Sequence, residues 1–312
     1  MPDLVSRAVA GETRSIARLI SLVESESPVL REVSAQIADR TGRAHIVGLT
    51  GSPGVGKSTM TSALVAEFRK RGKTVAVLAV DPSSPFSGGA LLGDRIRMQE
   101  HTTDPGVFIR SMASRGHLGG LSWATPHALR VLDAAGFDVI LAETVGVGQS
   151  EIEVAQLADT SLVLLAPGMG DGIQAAKAGI LEIGDIFCIN KSDRDGAQTT
   201  RRELRNGLSM TARPDNWKPP IEMTVASEGT GVDKVADLIM EHKTHLESSG
   251  DLQRRRQARA AREIQAIVVA EIMRGIDLSG EQVLTELAQR VTDGEIDAFS
   301  AADELRRSLP SH

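Results

Sequence analysis

The sequence is poor in aromatic residues and has almost no cysteine. Among its 312 residues are no Tyr, six Phe, two Trp and a single Cys, Cys188. One cysteine excludes a disulfide framework within the chain and is typical of proteins of the reducing cytosol. An aromatic content of 3% disfavours the stacking platforms with which proteins hold single-stranded nucleic acid. We therefore expect a cytoplasmic protein without a base-stacking surface.

Long apolar runs and an excess of basic residues are also absent. No run approaches the roughly 20 apolar residues that span a bilayer. The start, MPDLVSRAVAGETRS, has neither the apolar core nor the cleavage site of a signal peptide. Because the formal net charge is −6, no global basic field attracts nucleic acid or an anionic membrane. We expect neither among the partners of this protein.

Seven short runs rich in Val, Ile and Leu alternate with helical patterns in the middle of the chain. They are HIVGLT, TVAVLAV, VFIRSM, DVILAE, SLVLLA, DIFCIN and IEMTVA. Strands that are apolar on both faces and separated by helices predict an α/β fold with a mostly parallel, helix-flanked central sheet. In such sheets ligands bind beyond the carboxyl ends of the strands.

Helical patterns without strands flank this region, and three parts result. Residues 1–43 form an N-terminal extension with two amphipathic helices between residues 4 and 41, and residues 44–245 form the α/β domain. Residues 246–312 form a C-terminal arm, in which one long helix from DLQRRR to MRGI precedes two shorter ones that reach Leu309. We interpret the basic run RRRQARAAR as a solvated or partner-facing helix face rather than a nucleic-acid patch.

The first predicted strand runs directly into a glycine-rich loop that ends in a lysine and two hydroxyls. The sequence GSPGVGKST has the spacing of a P-loop, a phosphate-binding turn followed by a helix. Its glycines leave the backbone N–H groups free to surround an anion, and the positive end of the helix dipole points there. Lys57 is expected to reach the β- and γ-phosphates and Ser58 to ligate Mg²⁺. The nucleotide-binding residues are Gly51, Ser52, Pro53, Gly54, Val55, Gly56, Lys57, Ser58 and Thr59.

A second motif, NKSD, follows the sixth apolar run and selects among nucleotides. Asp193 can accept hydrogen bonds from the N1–H and amine of guanine, which adenine does not offer, and a buried carboxylate would stay unsatisfied without them. Asn190 is expected to tie this loop to the P-loop, and the stem of Lys191 to lie along the base. After the next strand, ASE is placed to contact the guanine oxygen through its backbone. The predicted GTP/GDP-binding residues here are Asn190, Lys191, Asp193, Ala226, Ser227 and Glu228.

Acidic residues at strand ends are candidates for the metal and for hydrolysis. Glu143 ends the fourth run and precedes Gly146, an arrangement in which a carboxylate holds Mg²⁺ and a glycine amide senses the γ-phosphate. Asp81 ends the second run at the same edge of the sheet, and Asp94 lies in a glycine-rich loop that could close over the nucleotide. Gln149 is a candidate for orienting the attacking water. The sequence thus predicts Mg²⁺ ligands among Ser58, Asp81, Asp94 and Glu143.

With these motifs in order, the chain resembles the MeaB/ArgK/MMAA family, the G-protein chaperones of adenosylcobalamin-dependent methylmalonyl-CoA mutase. The P-loop, DPSSPFSGGALLGDRIRM, ETVGVGQSE, PGMGDGIQAAKAGI and NKSD carry the resemblance, which covers nearly the whole chain. It implies a GTPase that protects the mutase and gates loading of its cofactor, dimeric through the C-terminal arm. We expect its intrinsic hydrolysis to be slow, because the partner completes the stabilisation of transition-state charge. The resemblance also implies that Asp81, Asp94 and Glu143 match acidic residues tied to Mg²⁺ and catalysis.

The segment from Gly168 to Lys177 matches a switch in that family, which transmits the nucleotide state to the mutase. The sequence GMGDG, which includes Asp171, can be reordered at little steric cost. Lys177 can exchange charge pairs between two states. Two other functions stay open: a metal-delivery GTPase of the nickel-insertion type, and an ATPase or kinase linked to amino-acid transport. The first would need clustered Cys and His ligands, and the second an acceptor pocket with a base.

Overall fold

The computed structural model describes residues 1–25, 27–82, 101, 103–114, 124–144, 150–168, 179–210, 216–279 and 281–308. The chain divides into two compact units, Met1–Gln257 and Ala258–His312. The first unit holds the sheet and the helices packed on it, and the second holds most of a long helix and two shorter ones.

Seven strands form one parallel sheet in the first unit. They are β1 (His45–Thr50), β2 (Val75–Pro82), β3 (Val107–Ser114), β4 (Val139–Thr144), β5 (Thr160–Leu165), β6 (Ile186–Ile189) and β7 (Ile221–Met223). Their order is β3-β2-β4-β1-β5-β6-β7, and every neighbouring pair is parallel. The predicted fold class is confirmed, and each of the seven apolar runs supplies one strand. β1 lies between β4 and β5 in the middle of the sheet. After β1 the chain forms β2, β3 and β4 on one side of it, and then β5, β6 and β7 on the other side. The loop after β1 thus opens at the point where such sheets bind ligands.

Helices cover both faces of the sheet and continue beyond it. In chain order they are α1 (Pro2–Val9), α2 (Thr13–Glu24), α3 (Leu30–Ile37), α4 (Lys57–Lys70), α5 (Ala124–Ala134), α6 (Ser150–Leu157), α7 (Ile180–Ile183), α8 (Ala197–Ser209), α9 (Val232–Ser249), α10 (Asp251–Ser279), α11 (Glu281–Thr292) and α12 (Ala298–Ser308). The C-terminal pattern of one long and two shorter helices is therefore confirmed. Among the described residues, no helix is both long enough and apolar enough to cross a membrane.

The two faces of the sheet bury separate apolar clusters because successive side chains of a strand point in opposite directions. On β1, Ile46 packs with the N-terminal helices and α5, whereas Val47 packs with α4 and α9. Both side chains are nearly inaccessible, as are Leu78 and Val77 of β2. The N-terminal extension is thus part of the core of the first unit.

The N-terminal extension contains three helices instead of the predicted two. The pattern LVSRAVAGETRSIARLISLVES looks continuous, yet α1 ends at Val9 and α2 begins at Thr13. Gly11, between them, has φ +86°, a left-handed conformation that glycine adopts without steric cost and that ends a helix. The prediction of a single helix over this stretch was wrong because apolar periodicity does not register a turn of this length.

Two arginines of the basic run anchor the start of α10 to the amino edge of the sheet. Arg255 donates to both carboxylate oxygens of Asp185 at 2.9 Å, and Arg256 donates to Asp159 at 3.0 and 3.3 Å. Both carboxylates are fully buried. The interpretation of RRRQARAAR as a solvated or partner-facing face is therefore wrong for these two residues, which bind buried carboxylates of the first unit.

Candidate functional site

The loop between β1 and α4 adopts a conformation that only glycine fits at two positions. Gly51 has φ +141° and Gly56 has φ +95°. A Cβ at Gly51 would lie 2.2 Å from the carbonyl oxygen of Leu164, and one at Gly56 would lie 2.5 Å from Nδ2 of Asn190. The loop therefore lies in close contact with β5 and with the end of β6.

Lys57 opens α4 and lies folded over the loop. Its side chain is only 6% exposed, and its Nζ donates to the carbonyl oxygen of Gly51 at 2.6 Å and to that of Ser52 at 3.3 Å. The ammonium group therefore lies inside the turn of amides, at the positive end of the helix dipole. Of the other predicted loop residues, Val55 is buried, Gly51 is buried, Ser52 and Gly56 are half-buried, and Pro53, Gly54 and Thr59 are exposed. This geometry concentrates positive potential at one exposed turn.

A buried carboxylate lies beside this turn. Glu143, on β4, is 2% exposed, and its backbone pairs with Leu49 of β1 and Ala79 of β2. The Ser58 hydroxyl lies 2.7 Å from Oε1 of Glu143, and the Thr61 hydroxyl lies 2.7 Å from Oε2. The structure thus brings the predicted pair, Ser58 and Glu143, into direct contact. It also adds Thr61, which no sequence motif had indicated.

Asn190 connects the predicted base-binding loop to the P-loop. Its Nδ2 donates to the carbonyl oxygen of Val55 at 2.9 Å, and its Oδ1 accepts from the backbone N–H of Ala226 at 3.0 Å. Lys191 reaches back in the same way, since its Nζ donates to the carbonyl oxygen of Gly54 at 2.7 Å. One buried amide and one lysine therefore link three loops that lie far apart in the sequence.

The remaining residues of the base-binding prediction lie at the surface of these loops. Asp193, Ser227 and Glu228 are exposed, and Ala226 is buried at the start of a short 3-10 helix, Ala226–Glu228. The prediction that Asp193 reads guanine stays a prediction, and without a ligand its side chain is exposed.

Several predicted site residues lie outside the described part of the chain. They are Asp94, Gly146, Gln149, Asp171 and Lys177. For Asp81 the backbone is described, and it pairs with Ala113 at the end of β2, but its side chain lies outside the described residues. Gly168, the first residue of the predicted switch, has φ +81°. Of the four predicted metal ligands, the structure therefore places the side chains of Ser58 and Glu143.

Chelating clusters are not found among the residues that the structure describes. No group of three or more His, Cys, Asp or Glu side chains could hold a metal ion there. Burial raises the pKa of the Cys188 thiol to about 12, and its Sγ lies 3.0 Å from the Thr224 hydroxyl. Because thiolates and not thiols ligate metals, Cys188 is unsuited to carry one.

Comparisons with known proteins identify the relatives of this chain. Residues 16–279 match the family model described as methylmalonyl-CoA mutase-associated GTPase MeaB. A protein of Pyrococcus abyssi that is named as a GTPase is 49% identical over 313 residues, which cover 98% of this chain and 96% of that protein. The mitochondrial methylmalonic aciduria type A homologue of Caenorhabditis elegans is 34% identical, covering 98% of this chain and 82% of that protein. A crystal structure of a LAO/AO transport system kinase is similar with a TM-score of 0.72 and 27% identity, covering 98% of this chain and 96% of that one.

Proposed function

This chain belongs to the MeaB family of P-loop GTPases, and we propose that it uses GTP and Mg²⁺ to act as a chaperone of a cobalamin-dependent acyl-CoA mutase. On this proposal it protects methylmalonyl-CoA mutase, or a related mutase, and gates the loading of its cofactor. The observation that carries the nucleotide part is the arrangement of Lys57, Ser58 and Glu143 around one glycine-built turn. The family description supports the partner.

The turn suits a triphosphate because its cationic and dipolar groups converge. The amides of the loop, the N-terminus of α4 and Lys57 all present positive charge to one point. When a phosphate enters, Lys57 exchanges its carbonyl contacts with Gly51 and Ser52 for phosphate oxygens, a stronger charge-assisted interaction.

The donor set at Ser58 and Glu143 fits Mg²⁺. This ion prefers oxygen ligands and is usually held by one or two carboxylates together with water and phosphate. Glu143 supplies a buried carboxylate and Ser58 a hydroxyl, in contact at 2.7 Å. When bound, Mg²⁺ neutralises charge that develops on the β- and γ-phosphates. On our proposal Asp81 and Asp94 complete the acidic set.

Selection of guanine is assigned to Asp193 on the loop that Asn190 fixes. The Asn190 side chain donates to Val55 and accepts from Thr224 and Ala226, and these hydrogen bonds tie the phosphate loop to the base loops. Asp193 itself is exposed and is covered by the base on binding. An unmatched base would leave this carboxylate covered and unpaired, which costs about 1–3 kcal/mol or more for a charged group.

The C-terminal unit supports a homodimer. Several apolar side chains on one stretch of α10 are 40–62% exposed: Ile264, Val268, Val269, Ile272 and Met273. Ile264, Val268 and Ile272 recur at intervals of four residues, and Val269 and Met273 do the same beside them, so together they form a broad apolar stripe along the helix. A second copy of the same helix would cover this stripe with an equivalent surface. We therefore propose that the unit from Ala258 onward carries the dimer contact.

The proposal is tested by measuring GTP hydrolysis with and without purified methylmalonyl-CoA mutase. The wild-type protein is expected to turn over GTP slowly and the mutase to stimulate it several-fold. Lys57→Ala should reduce GTP binding at least about 100-fold, because it removes the one charged side chain inside the loop. Lys70→Ala is the matched control: Lys70 lies at the other end of α4 with its side chain 75% exposed, and its removal should change nothing.

The two parts of the proposal fail separately. If the wild-type protein shows no affinity for GDP or GTP in the presence of Mg²⁺, the nucleotide assignment is refuted. If hydrolysis is normal but no cobalamin-dependent mutase alters it, and the mutase loses its cofactor equally fast with and without the protein, the chaperone role is refuted while the GTPase stands.

A further inference from the structure

Thr61 holds the second oxygen of the carboxylate at the centre of the site. Its Oγ1 lies 2.7 Å from Oε2 of Glu143, while Ser58 occupies Oε1 at the same distance. Ser58 and Thr61 are three residues apart on α4 and thus share one face of the helix. The carboxylate is therefore held between two hydroxyls of one helix, of which only Ser58 belongs to the P-loop motif.

The Thr61 hydroxyl is committed to this contact by its surroundings. The residue is fully buried, so water does not compete for its proton. Its other near acceptor is the carbonyl oxygen of Lys57 at 3.1 Å, a neutral group, whereas a carboxylate accepts a shorter and stronger hydrogen bond. The two distances, 2.7 Å to Glu143 and 3.1 Å to Lys57, indicate that the single proton is donated to Glu143.

We propose that Thr61 is a positioning residue for the metal site. It fixes the rotation of the Glu143 carboxylate, so that Oε1 stays on Ser58, the partner with which Glu143 is proposed to hold Mg²⁺. This inference rests on the proposed function. Without the Thr61 hydroxyl, Oε2 would lose a buried hydrogen bond and the carboxylate could turn away from Ser58. Groups that orient a metal ligand in this way commonly change metal affinity 10- to 100-fold when they are removed.

The experiment compares Thr61→Val with Thr61→Ser. Valine keeps the shape and removes the hydroxyl, while serine restores the hydroxyl without the methyl group. Binding of Mn²⁺ to the GDP-bound protein is measured by electron paramagnetic resonance, and GDP affinity is measured separately without divalent ions. We expect Thr61→Val to weaken Mn²⁺ binding about 10- to 100-fold and to leave metal-free GDP affinity unchanged. Thr61→Ser should bind Mn²⁺ almost as the wild-type protein does.

Thr200 provides the matched control. It is also a buried helical threonine, 5% exposed, whose Oγ1 contacts the carbonyl oxygen four residues earlier, that of Gly196, at 3.2 Å. Because its Oγ1 contacts no carboxylate among the described residues, Thr200→Val should leave Mn²⁺ affinity unchanged. If Thr61→Val does not fold, Thr61→Ala and Thr61→Cys are measured in its place. Unchanged Mn²⁺ affinity in a folded variant without the hydroxyl would overturn the inference, whereas failure of the wild-type protein to bind GDP would refute the proposed function itself.

Discussion

The two edges of the same parallel sheet are built on opposite principles. At the carboxyl edge, glycine backbone, Lys57 and two short loops meet, and Asp193 is exposed. At the amino edge, charged side chains are sealed inside: Asp159 and Asp185 are fully buried and are paired with arginines of α10. The carboxyl edge leaves the carboxylate of Asp193 exposed, whereas the amino edge buries both of these carboxylates against arginines.

Because of this difference, we expect substitutions at one edge to change nucleotide binding and substitutions at the other to change the stability of the fold. The carboxylates of the amino edge also accept backbone N–H groups, Asp159 from Ile46 at 3.0 Å and Asp185 from Ser161 at 2.8 Å. Each carboxylate therefore accepts a hydrogen bond from the backbone of one strand, β1 or β5, and pairs with an arginine at the start of α10. Since such a buried pair is costly to break, we expect substitutions there to act on folding. Substitutions at the carboxyl edge should act on nucleotides.

The largest expected effect is that of Arg256→Met at the amino edge. It leaves the carboxylate of Asp159 buried without its cationic partner, which typically costs about 3–5 kcal/mol. Urea unfolding should show this loss in the free energy of unfolding. Arg40→Met is the control, because Arg40 is 53% exposed and its partner Asp39 is 80% exposed. A loss below about 1 kcal/mol for Arg256→Met, or weaker GTP binding by its folded fraction, would contradict the separation of the two edges.

A smaller effect is expected from pH at His45, the first residue of β1. Burial lowers the pKa of His45 to about 4, although Asp159 raises it in part, and Lys243, His242 and Arg256 lower it further. Below pH 6.5, the ordinary pKa of histidine, His45 is protonated in the unfolded chain but stays neutral in the folded protein until the pH approaches 4. The free energy of unfolding should therefore decrease as the pH is lowered. His45 should contribute about 2 kcal/mol to this decrease between pH 7 and pH 5.

The comparison that isolates this contribution is His45→Gln, which keeps a polar side chain near Thr160, whose Oγ1 lies 2.8 Å from Nε2 of His45. Unfolding is measured with denaturant at pH 7, 6 and 5 for both proteins. The variant should lose less stability on acidification, so its deficit relative to the wild-type protein should shrink by about 2 kcal/mol. Parallel pH profiles would show that His45 is not the group that responds.

The smallest effect on stability, and a clear effect on selectivity, is expected from Asp193→Asn. An exposed side chain can be exchanged within about 0.5 kcal/mol, yet the change replaces an acceptor of two hydrogen bonds by a mixed donor and acceptor. We expect the preference for GTP over ATP to fall about 10- to 100-fold in calorimetric titrations. Asp195→Asn, exposed in the same loop, is the control. Unchanged selectivity would remove Asp193 from the base site.

Much of the fold could be predicted from the spacing of apolar residues along the sequence and from the residues typical of turns. All seven strands lie where apolar runs were found, since strands buried on both faces consist mostly of apolar residues. The break at Gly11 was missed because a short turn barely disturbs a helical repeat. The anchoring role of Arg255 and Arg256 was also missed, because a charged residue on a helix gives no local indication that it faces a buried carboxylate some 70 or 97 positions away.

The same limit applies within the site. Motifs indicated Lys57 and Asn190 because phosphate and guanine recognition require particular residues at fixed spacing. Thr61 belongs to no such spacing. Its partner Glu143 is 82 residues away, and the contact exists because β4 is hydrogen-bonded to β1, which places Glu143 under the first turns of α4.

The sequence by itself determined the strand and helix content, the phosphate loop and the family, because each depends on local pattern or on motifs of fixed spacing. Only the tertiary structure decided which carboxylates are paired and buried, that Asp193 lies open, and that Thr61 contacts Glu143. Those properties depend on which strands are neighbours, and strand order is set by packing over the whole domain rather than by any one segment.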